Sequence, residues 1–459
     1  MGHSSKGYRM KHEKFHYESL EAVKAKCSEI GIDLPFAKDT SALKKEVEIA
    51  SFSIPNRMGV APMEGADATS GGEPSTYTER RYTREAEGGA GIIWYEAISL
   101  VEEGRSSKTQ LLINEKNLDS FKQLNEKVKE AGVKKNGYAP LLIMQSNHSG
   151  RYSNPGNRPA PLIAQRNYWL ERFRSAEDEC IVSDDYLKKM EEIFGNSALL
   201  AKKAGFDGVD IKSCHGYLFQ EVIAAYDRSG PYGGSYENRT RLLKNSIRAA
   251  KVHEDKDFFV AARIGIYDGY PKESRGFGQN EQGEMDLSEP KKLIRELWDE
   301  FSLPLVNITM GNPYATTHIT RPFDKGKYLP EEHPFEGLYR MFIGVSEIKK
   351  TVPKMVVYGS APTYLREFSD LYAAGAVEKG YCDGFLWGRL AFADPSFPNE
   401  IIRNGKIDKK KVCLTCGKCG DLIRAHKPTG CVIRDTETFM PFYKKWLKEK
   451  NNFSANFRG

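Results

Sequence analysis

Short apolar runs recur along the chain, separated by longer stretches in which apolar residues fall at helical spacing. Each run is bounded by Gly, Pro or polar residues, a pattern typical of buried strands. The runs predict strands at Arg57–Pro62, Gly91–Ala97, Pro140–Gln145, Gly208–Lys212, Phe258–Ile264, Pro304–Thr309, Lys354–Gly359 and Asp383–Gly388. Eight strands that alternate with helices predict the α/β fold of a (β/α)8 TIM barrel.

An open, doubly wound sheet is the alternative arrangement of alternating strands and helices. That fold would place a Gly-rich dinucleotide-binding turn after its first strand, and residues 61–67, APMEGAD, do not form such a turn. The pattern therefore favours the barrel.

The regions that flank the predicted barrel differ from it in pattern. A polar amino-terminal extension has helical spacing between Tyr17 and Ile30, with Gly31 as a stop signal, and we expect this helix to dock on the barrel or to contact a second copy of the chain. Weak alternation over Val47–Ile54 predicts a hairpin. The predicted domains are an extension at 1–45, the barrel at 46–405 and a cysteine-rich segment with a carboxyl-terminal tail at 406–459.

Composition and charge limit the location and the partners of the protein. The 459 residues carry a net charge of +6, which suits an anionic substrate or a phosphate, but no basic run indicates nucleic-acid binding. No apolar segment has the length of a membrane-spanning helix, and the first fifteen residues lack the apolar core of an export signal. We therefore expect a cytoplasmic homo-oligomer with a small-molecule substrate and no nucleic-acid or membrane partner.

Four of the eight cysteines lie close together near the carboxyl terminus, with the spacing C-x2-C-x2-C-x11-C. Three cysteines at this spacing can wrap one iron–sulfur cube, and a distant fourth closes it. A four-cysteine zinc site is the alternative, although zinc sites usually have two separate C-x-x-C pairs. The spacing favours a 4Fe-4S cluster with the ligands Cys413, Cys416, Cys419 and Cys431.

The carboxyl ends of the predicted strands carry the candidate catalytic groups, because TIM barrels place their chemistry there. The fourth strand ends in Lys212 and is followed by His215 and Tyr217. Such polar side chains are costly to bury at a strand end unless they have a function. The third strand ends in Gln145 and is followed by His148.

Two stretches resemble the Old Yellow Enzyme family of flavin-dependent reductases. Residues 145–151, QSNHSGR, are similar to the family's Gln-Leu-x-His-x-Gly-Arg, and residues 206–241 contain its His, Gly-Tyr-Leu and Tyr-Gly-Gly-Ser-x-Glu-Asn-Arg motifs. Lys212 stands where the family usually has its first histidine. The cysteines that follow the barrel resemble those of the iron–sulfur branch, to which 2,4-dienoyl-CoA reductase and trimethylamine dehydrogenase belong.

The resemblance implies bound FMN, with NADH or NADPH as the electron donor, either directly or through a separate electron-donor protein. A Gln amide suits the pyrimidine edge of a flavin, an Arg cation suits its N1–O2 side, and Gly-rich strand ends suit its phosphate. The residues implied to contact FMN are Ala61, Pro62, Met63, Ala97, Gln145, Arg263, Gly359, Ser360, Gly388 and Arg389.

The resemblance also implies an ene reductase, in which reduced flavin passes hydride to the β-carbon of an unsaturated carbonyl, enoate or enoyl substrate. His215 and Lys212 would polarise the carbonyl, and Tyr217 would protonate the α-carbon. Lys212 is expected either to pair with a carboxylate of the substrate or of the protein, Asp210 or Glu221 being the nearest in sequence, or to hold the developing enolate more strongly than a histidine could. The residues expected to contact the substrate are His148, Tyr314, His318 and Arg321.

Two other functions fit the same framework. A flavin-dependent amine dehydrogenase would need an aromatic cage for an alkylammonium, and the cation of Lys212 argues against such a substrate. A diaphorase or electron-transfer subunit would leave the polar residues 212–217 without a purpose.

Overall fold

Eight parallel strands close into a barrel in the computed structural model of the protein, which describes residues 12–456. The predicted TIM barrel is therefore confirmed, and every predicted strand is present with its ends shifted by at most two residues. A short hairpin, β1 (Val47–Ile49) and β2 (Phe52–Ile54), precedes the barrel. The barrel strands are β3 (Met58–Val60), β4 (Ile92–Ser99), β5 (Leu141–Asn147), β6 (Gly208–Ile211), β7 (Phe259–Gly265), β8 (Leu305–Thr309), β9 (Val356–Gly359) and β10 (Gly384–Trp387).

Helices separate the strands, and several begin at serines that the sequence places just before an amphipathic run. The side chains of Ser75, Ser183 and Ser235 accept backbone N–H bonds in the first helical turn and so fix three helix starts. No helix of the described residues is long and apolar enough to cross a membrane. The helices are α1 (Leu20–Glu29), α2 (Thr76–Glu87), α3 (Leu118–Asn136), α4 (Tyr168–Glu171), α5 (Asp184–Lys203), α6 (Leu218–Ile223), α7 (Tyr236–Lys251), α8 (Ser288–Phe301), α9 (Thr317–Thr320), α10 (Pro334–Thr351), α11 (Ser369–Glu378), α12 (Arg389–Ala393), α13 (Phe397–Asn404), α14 (Lys418–Arg424) and α15 (Thr436–Asn456).

The hairpin closes the amino-terminal end of the barrel. Phe52 of β2 packs on Phe259 at the start of β7, with ring centroids 5.8 Å apart. Above it, large apolar side chains from alternate strand positions fill the barrel interior, among them Trp94, Ile143 and Tyr358. A barrel that is plugged at one end and packed inside leaves its carboxyl-terminal rim for chemistry.

The amino-terminal extension docks on the outside of the barrel. The predicted helix is present as α1, which begins after the capping side chain of Ser19 and ends before Gly31, whose φ is 73°. The following segment is tied to α11 by the bond from the Ala37 N–H to the Leu371 carbonyl, 2.9 Å long. The export-signal expectation concerns the first fifteen residues, of which the first eleven lie outside the described residues.

Replacing Gly375 by Ala is expected to loosen this docked extension. A Cβ at position 375 would lie 1.9 Å from the Pro35 carbonyl oxygen and 2.7 Å from the Ala37 nitrogen, so the backbone must shift. Overpacking of this kind costs about 1–3 kcal/mol, and we expect denaturant unfolding to show that loss. Gly156→Ala, where a Cβ meets nothing within 4 Å, is the matched control. Equal unfolding free energies for the two variants would contradict a tightly docked extension.

The cysteine-rich segment has a small core of its own and is fastened to the barrel. Leu422 of α14 packs with Val432 and Phe439. Asp435 accepts hydrogen bonds from Arg80 and Arg84 of α2, at 2.7 and 2.8 Å. The Thr429 N–H also donates to the Gly65 carbonyl in the loop after β3, at 2.8 Å. The segment therefore lies against the carboxyl-terminal rim of the barrel.

Candidate active site

The chain reverses sharply after β6 and turns three polar side chains toward the rim. His215 and Gly216 both have positive φ values, 67° and 70°, and α6 begins directly after Tyr217. The ring Nε2 of His215 lies 3.1 Å from the hydroxyl of Thr309, the last residue of β8. Burial and the nearby cations of Arg263 and Lys212 hold the pKa of His215 well below its usual range. The imidazole is therefore neutral and can donate a hydrogen bond without carrying a charge.

Tyr217 is a buried phenol whose hydroxyl has one polar contact in the described part of the chain. Its hydroxyl lies 3.0 Å from the hydroxyl of Tyr314. Burial and the neighbouring Tyr314 raise the pKa of Tyr217 well above its usual range, so its proton is retained at neutral pH. The ammonium of Lys212 sits 3.8 Å from the centroid of the Tyr217 ring. The structure thus brings Lys212, His215 and Tyr217 together at the end of β6.

The expectation that Asp210 or Glu221 neutralises Lys212 is wrong. Asp210 points into the barrel and accepts from Trp94 Nε1 at 2.8 Å, from Gln145 Nε2 at 2.6 Å and from the N–H of Arg263 at 2.6 Å. Glu221 instead forms an ion pair with Arg151. Among the described residues Lys212 has no ion-pair partner, and burial lowers its pKa to about 8. Its charged form persists at neutral pH and is available to an anion that enters the site.

Most of the expected FMN contacts lie on neighbouring strands at the same rim. The amide nitrogen of Ala61 donates to the carbonyl of Trp387, the residue before Gly388, and Ala97 pairs in register with Gln145. Gly359 pairs with the strand that leads to Gly388. The expected contacts on β3, β9 and β10 therefore lie side by side, next to those on β4 and β5.

Arg263 is the residue expected to contact the N1–O2 side of FMN, where negative charge develops when the flavin is reduced. The side chain is buried on β7, yet among the described residues it forms no ion pair, and its Nε has no hydrogen-bond partner there. Burial lowers the pKa of this guanidinium. A buried cation with an unpaired N–H is costly unless a ligand pairs with it. The site therefore fits the electron-rich N1–O2 side of a flavin.

Other predicted residues are engaged elsewhere in the protein. The hydroxyl of Ser360 bonds with Asn307, and Arg389 Nη2 donates to the Pro322 carbonyl at 2.8 Å. Both ring nitrogens of His148 have protein partners, Tyr186 and the Gly150 N–H, so neither is free for a substrate. His318 contacts the hydroxyl of Tyr328 at 2.6 Å rather than the residues around Tyr217.

Arg321 interacts electrostatically with His215 and with Cys419 of the carboxyl-terminal segment. Burial and the nearby cation of Arg389 lower the pKa of Arg321 to about 10, and the charge of Arg321 helps to lower the pKa of His215. Of the four expected substrate contacts, Tyr314 is the one that touches a catalytic candidate directly.

An array of tyrosines and one amide surrounds Tyr314, and these neighbours were not predicted from the sequence. Tyr152 stacks on Tyr314 with ring centroids 3.7 Å apart and planes 13° apart. Asn312 donates to the hydroxyls of Tyr152 and Tyr270, at 2.8 and 3.2 Å. Tyr152 directly follows Arg151 of the QSNHSGR stretch, which is the one local signal that could have pointed to it.

The four cysteines of the carboxyl-terminal segment line one pocket, together with Arg389. The Thr415 N–H donates to Cys413 Sγ and the Arg434 N–H to Cys431 Sγ, each at 3.4 Å. Burial raises the pKa of Cys413 to about 12 and that of Cys431 to about 11. Within the described ranges, no three His, Cys, Asp or Glu side chains are grouped closely enough to hold one metal ion.

Comparisons with known proteins agree with this arrangement. The model of the NADH:flavin oxidoreductase / NADH oxidase family matches residues 43–327. NADH oxidase of Thermoanaerobacter brockii is 26% identical over 379 residues, 82% of this chain and 52% of that protein. Cinnamate reductase of Clostridium sporogenes is 27% identical over 406 residues, 84% of this chain and 56% of that protein. The chain thus spans about half the length of these relatives.

Among solved structures, 2-naphthoyl-CoA reductase superposes with a TM-score of 0.70 at 19% identity, over 86% of this chain and 57% of that one. This likeness extends the agreement in fold to the region beyond the family match. The family model covers more than half of the chain, and the solved structure shares its barrel fold. The chain therefore belongs to the NADH:flavin oxidoreductase / NADH oxidase family.

Proposed function

We propose that this protein is an FMN- and iron–sulfur-dependent ene reductase. It would reduce the C=C bond of an α,β-unsaturated carbonyl, enoate or enoyl compound with electrons that come from NADH or NADPH. The observation that carries the proposal is the convergence of Lys212, His215 and Tyr217 at the end of β6, where a phenol, a neutral imidazole and an unpaired ammonium meet.

Each of the three side chains has a separate task. The His215 imidazole and the Lys212 ammonium donate hydrogen bonds to the carbonyl or carboxylate oxygen, where negative charge develops as the β-carbon is reduced. The Tyr217 hydroxyl gives its proton to the α-carbon, and the retained proton of this buried phenol supports that role. Tyr314, 3.0 Å away, can return a proton to the Tyr217 oxygen.

FMN, when bound, supplies the hydride. We propose that Arg263 pairs with its N1–O2 side, that Gln145 faces its pyrimidine edge and that residues 61–63 lie against the ring. Gly359, Ser360 and Gly388 offer backbone N–H groups for the phosphate at the ends of β9 and β10. Arg389 starts α12 at the same place; its Nη2 donates to the Pro322 carbonyl, and its other N–H groups would add a cation.

We also propose that the cysteine pocket holds a 4Fe-4S cluster. The pocket has four thiol ligands, and backbone N–H groups donate to two of the sulfurs, a contact that tunes such clusters. A single zinc ion would need its thiolates about 2.3 Å from one point. The spacing C-x2-C-x2-C-x11-C, which is not that of two separate C-x-x-C pairs, favours the larger cluster over zinc.

Amine oxidation is the second candidate function, because the tyrosines around Tyr314 could form the aromatic cage that binds an alkylammonium. Lys212 already occupies the face of Tyr217, however, and would repel a second cation.

Reoxidation of reduced, flavin-loaded protein by different acceptors separates the two functions. We expect rapid anaerobic reoxidation by enones, enoates or enoyl thioesters. Reduction of the oxidised flavin by simple alkylamines should be negligible. Rapid reduction by an amine, with no response to any alkene, would overturn the proposal.

Replacing Lys212 by His is expected to change the choice of substrate. The variant should keep FMN but lose roughly ten- to hundredfold in rate on enoates, because a charged hydrogen bond contributes about 1.5–3 kcal/mol, and it should lose less on enones. The wild-type enoate rate should also fall as the pH rises through about 8, where Lys212 loses its proton. Steady-state rates on a matched enone and enoate across pH test this. An equal loss on both would mean that Lys212 only supports the site.

A further inference from the structure

Positive charge is concentrated in the segment that holds the four cysteines. Residues 406–459 contain thirteen Lys and Arg against five Asp and Glu, a net charge of +8, whereas the rest of the chain has a net charge of −2. The net charge of +6 on the whole protein therefore comes from this one segment. Charge segregated in this way creates a local positive field that steers association with anionic partners.

Several of these cations stand beside the cysteine pocket without acidic partners. Lys418 and Arg434 line the pocket, and Lys444, Lys445 and Lys448 are exposed on α15. None of these five takes part in an ion pair among the described residues. The ammonium of Lys418 lies 5.2 Å from the ring centroid of Tyr443, the residue directly before Lys444. This contact connects the pocket to the lysines of α15. We call these five residues the basic face.

The apolar side of α15 is already used within the protein. Phe439 packs on Leu422 and Val432, Met440 and Tyr443 join that cluster, and Phe442 contacts Tyr77 of α2. An amphipathic helix that binds a lipid surface would keep its apolar face free for the membrane. The outward side of α15 instead presents lysines, and this arrangement favours an acidic protein.

The pocket behind the basic face lies near the surface and also adjoins the barrel. Cys416, Cys419 and Cys431 are each partly exposed. Arg389, at the end of β10, lines the same pocket. Electrons that arrive at the basic face would therefore enter next to the cysteines and leave toward the cofactor rim of the barrel.

We propose that the basic face is the docking site of an acidic protein that carries one electron at a time. The proposal rests on the cluster assignment made above. Two reduced carriers would each be oxidised by one electron for every C=C bond reduced. The substrate would gain two electrons and two protons, one proton from Tyr217 and the other from solvent.

The test uses anaerobically purified holoprotein and two small carriers, a strongly acidic ferredoxin and, as a charge control, the basic cytochrome c. Calorimetry over a series of salt concentrations should show ferredoxin binding that weakens steeply with salt, and no binding of cytochrome c. Lys444→Glu combined with Lys445→Glu should weaken ferredoxin binding by about tenfold or more. The matched pair Lys188→Glu and Lys189→Glu, exposed on α5, should leave binding within about twofold of wild type.

Iron analysis of the same samples separates failure of the docking surface from failure of the cluster. The α15 variant should keep the wild-type iron content. Ferredoxin binding that is absent, or equally weakened in both variant pairs, would overturn the docking proposal even if iron is present. Sedimentation without carrier that shows a smaller assembly for the α15 variant alone would assign this face to contacts between copies of the chain. Binding as expected in protein that lacks iron would leave the docking surface standing and remove only the cluster.

Discussion

Replacing Tyr217 by Phe is expected to slow reoxidation of the reduced flavin by an alkene roughly 10²–10⁴-fold, the usual loss when a general acid is removed. Reduction of the flavin by NADH or NADPH should be spared, because the phenol has no part in that half-reaction. The ring itself remains, so the cation contact of Lys212 and the shape of the site should persist. Stopped-flow measurement of the two half-reactions gives the comparison.

Tyr314→Phe is the control for this variant. It removes the polar partner that the Tyr217 hydroxyl has within residues 12–456 but keeps the stack on Tyr152. We expect a smaller loss, because Tyr217 still holds the transferred proton and solvent can replace it. If Tyr217→Phe left both half-reactions unchanged, Tyr217 would only line the site, and Tyr314 would become the leading candidate acid.

Replacing Cys416 by Ser is expected to remove the iron from the protein while the barrel stays folded. Anaerobic wild-type protein should contain one FMN and about four irons per chain, since four thiolates hold one cube. Cys416 is partly exposed, so the loss of this ligand leaves one side of the cluster open to solvent. Metal analysis, the visible absorption of the cluster and the far-ultraviolet circular dichroism of the barrel measure the three parts of this expectation.

Cys180→Ser is the matched substitution, because Cys180 is also partly exposed but lies in the loop before α5. This variant should keep its full iron content. A full complement of zinc in wild-type protein, with no iron after anaerobic purification, would remove the cluster from the proposed function and leave the barrel chemistry untouched.

The strands could be predicted closely from the sequence because each is a short apolar run with clear stops. The run at Asp383–Gly388 became β10 with one residue lost at each end. The position of residues 212–217 could then also be predicted, because residues that follow a strand of a TIM barrel lie at its carboxyl-terminal rim.

The partners of the site residues could not be predicted, since they depend on side-chain direction across the barrel. Asp210 and Lys212 are two apart in an extended segment, which made an ion pair plausible from sequence. In the structure Trp94 and Gln145, from two other strands, satisfy the Asp210 carboxylate. The stack of Tyr152 on Tyr314 likewise joins loops that lie far apart in the chain.

The bonds that fasten the cysteine-rich segment limit how the protein could be re-engineered. Thr429 is bonded to the loop that follows β3, Asp435 is held by two arginines of α2, and Arg389 belongs to the barrel end yet lines the cysteine pocket. A chimera that joins the barrel to a foreign carboxyl-terminal domain at residue 405 would lose all three connections at once. The cut would also free the loop around Gly65, so transplanting this segment means transplanting part of the rim with it.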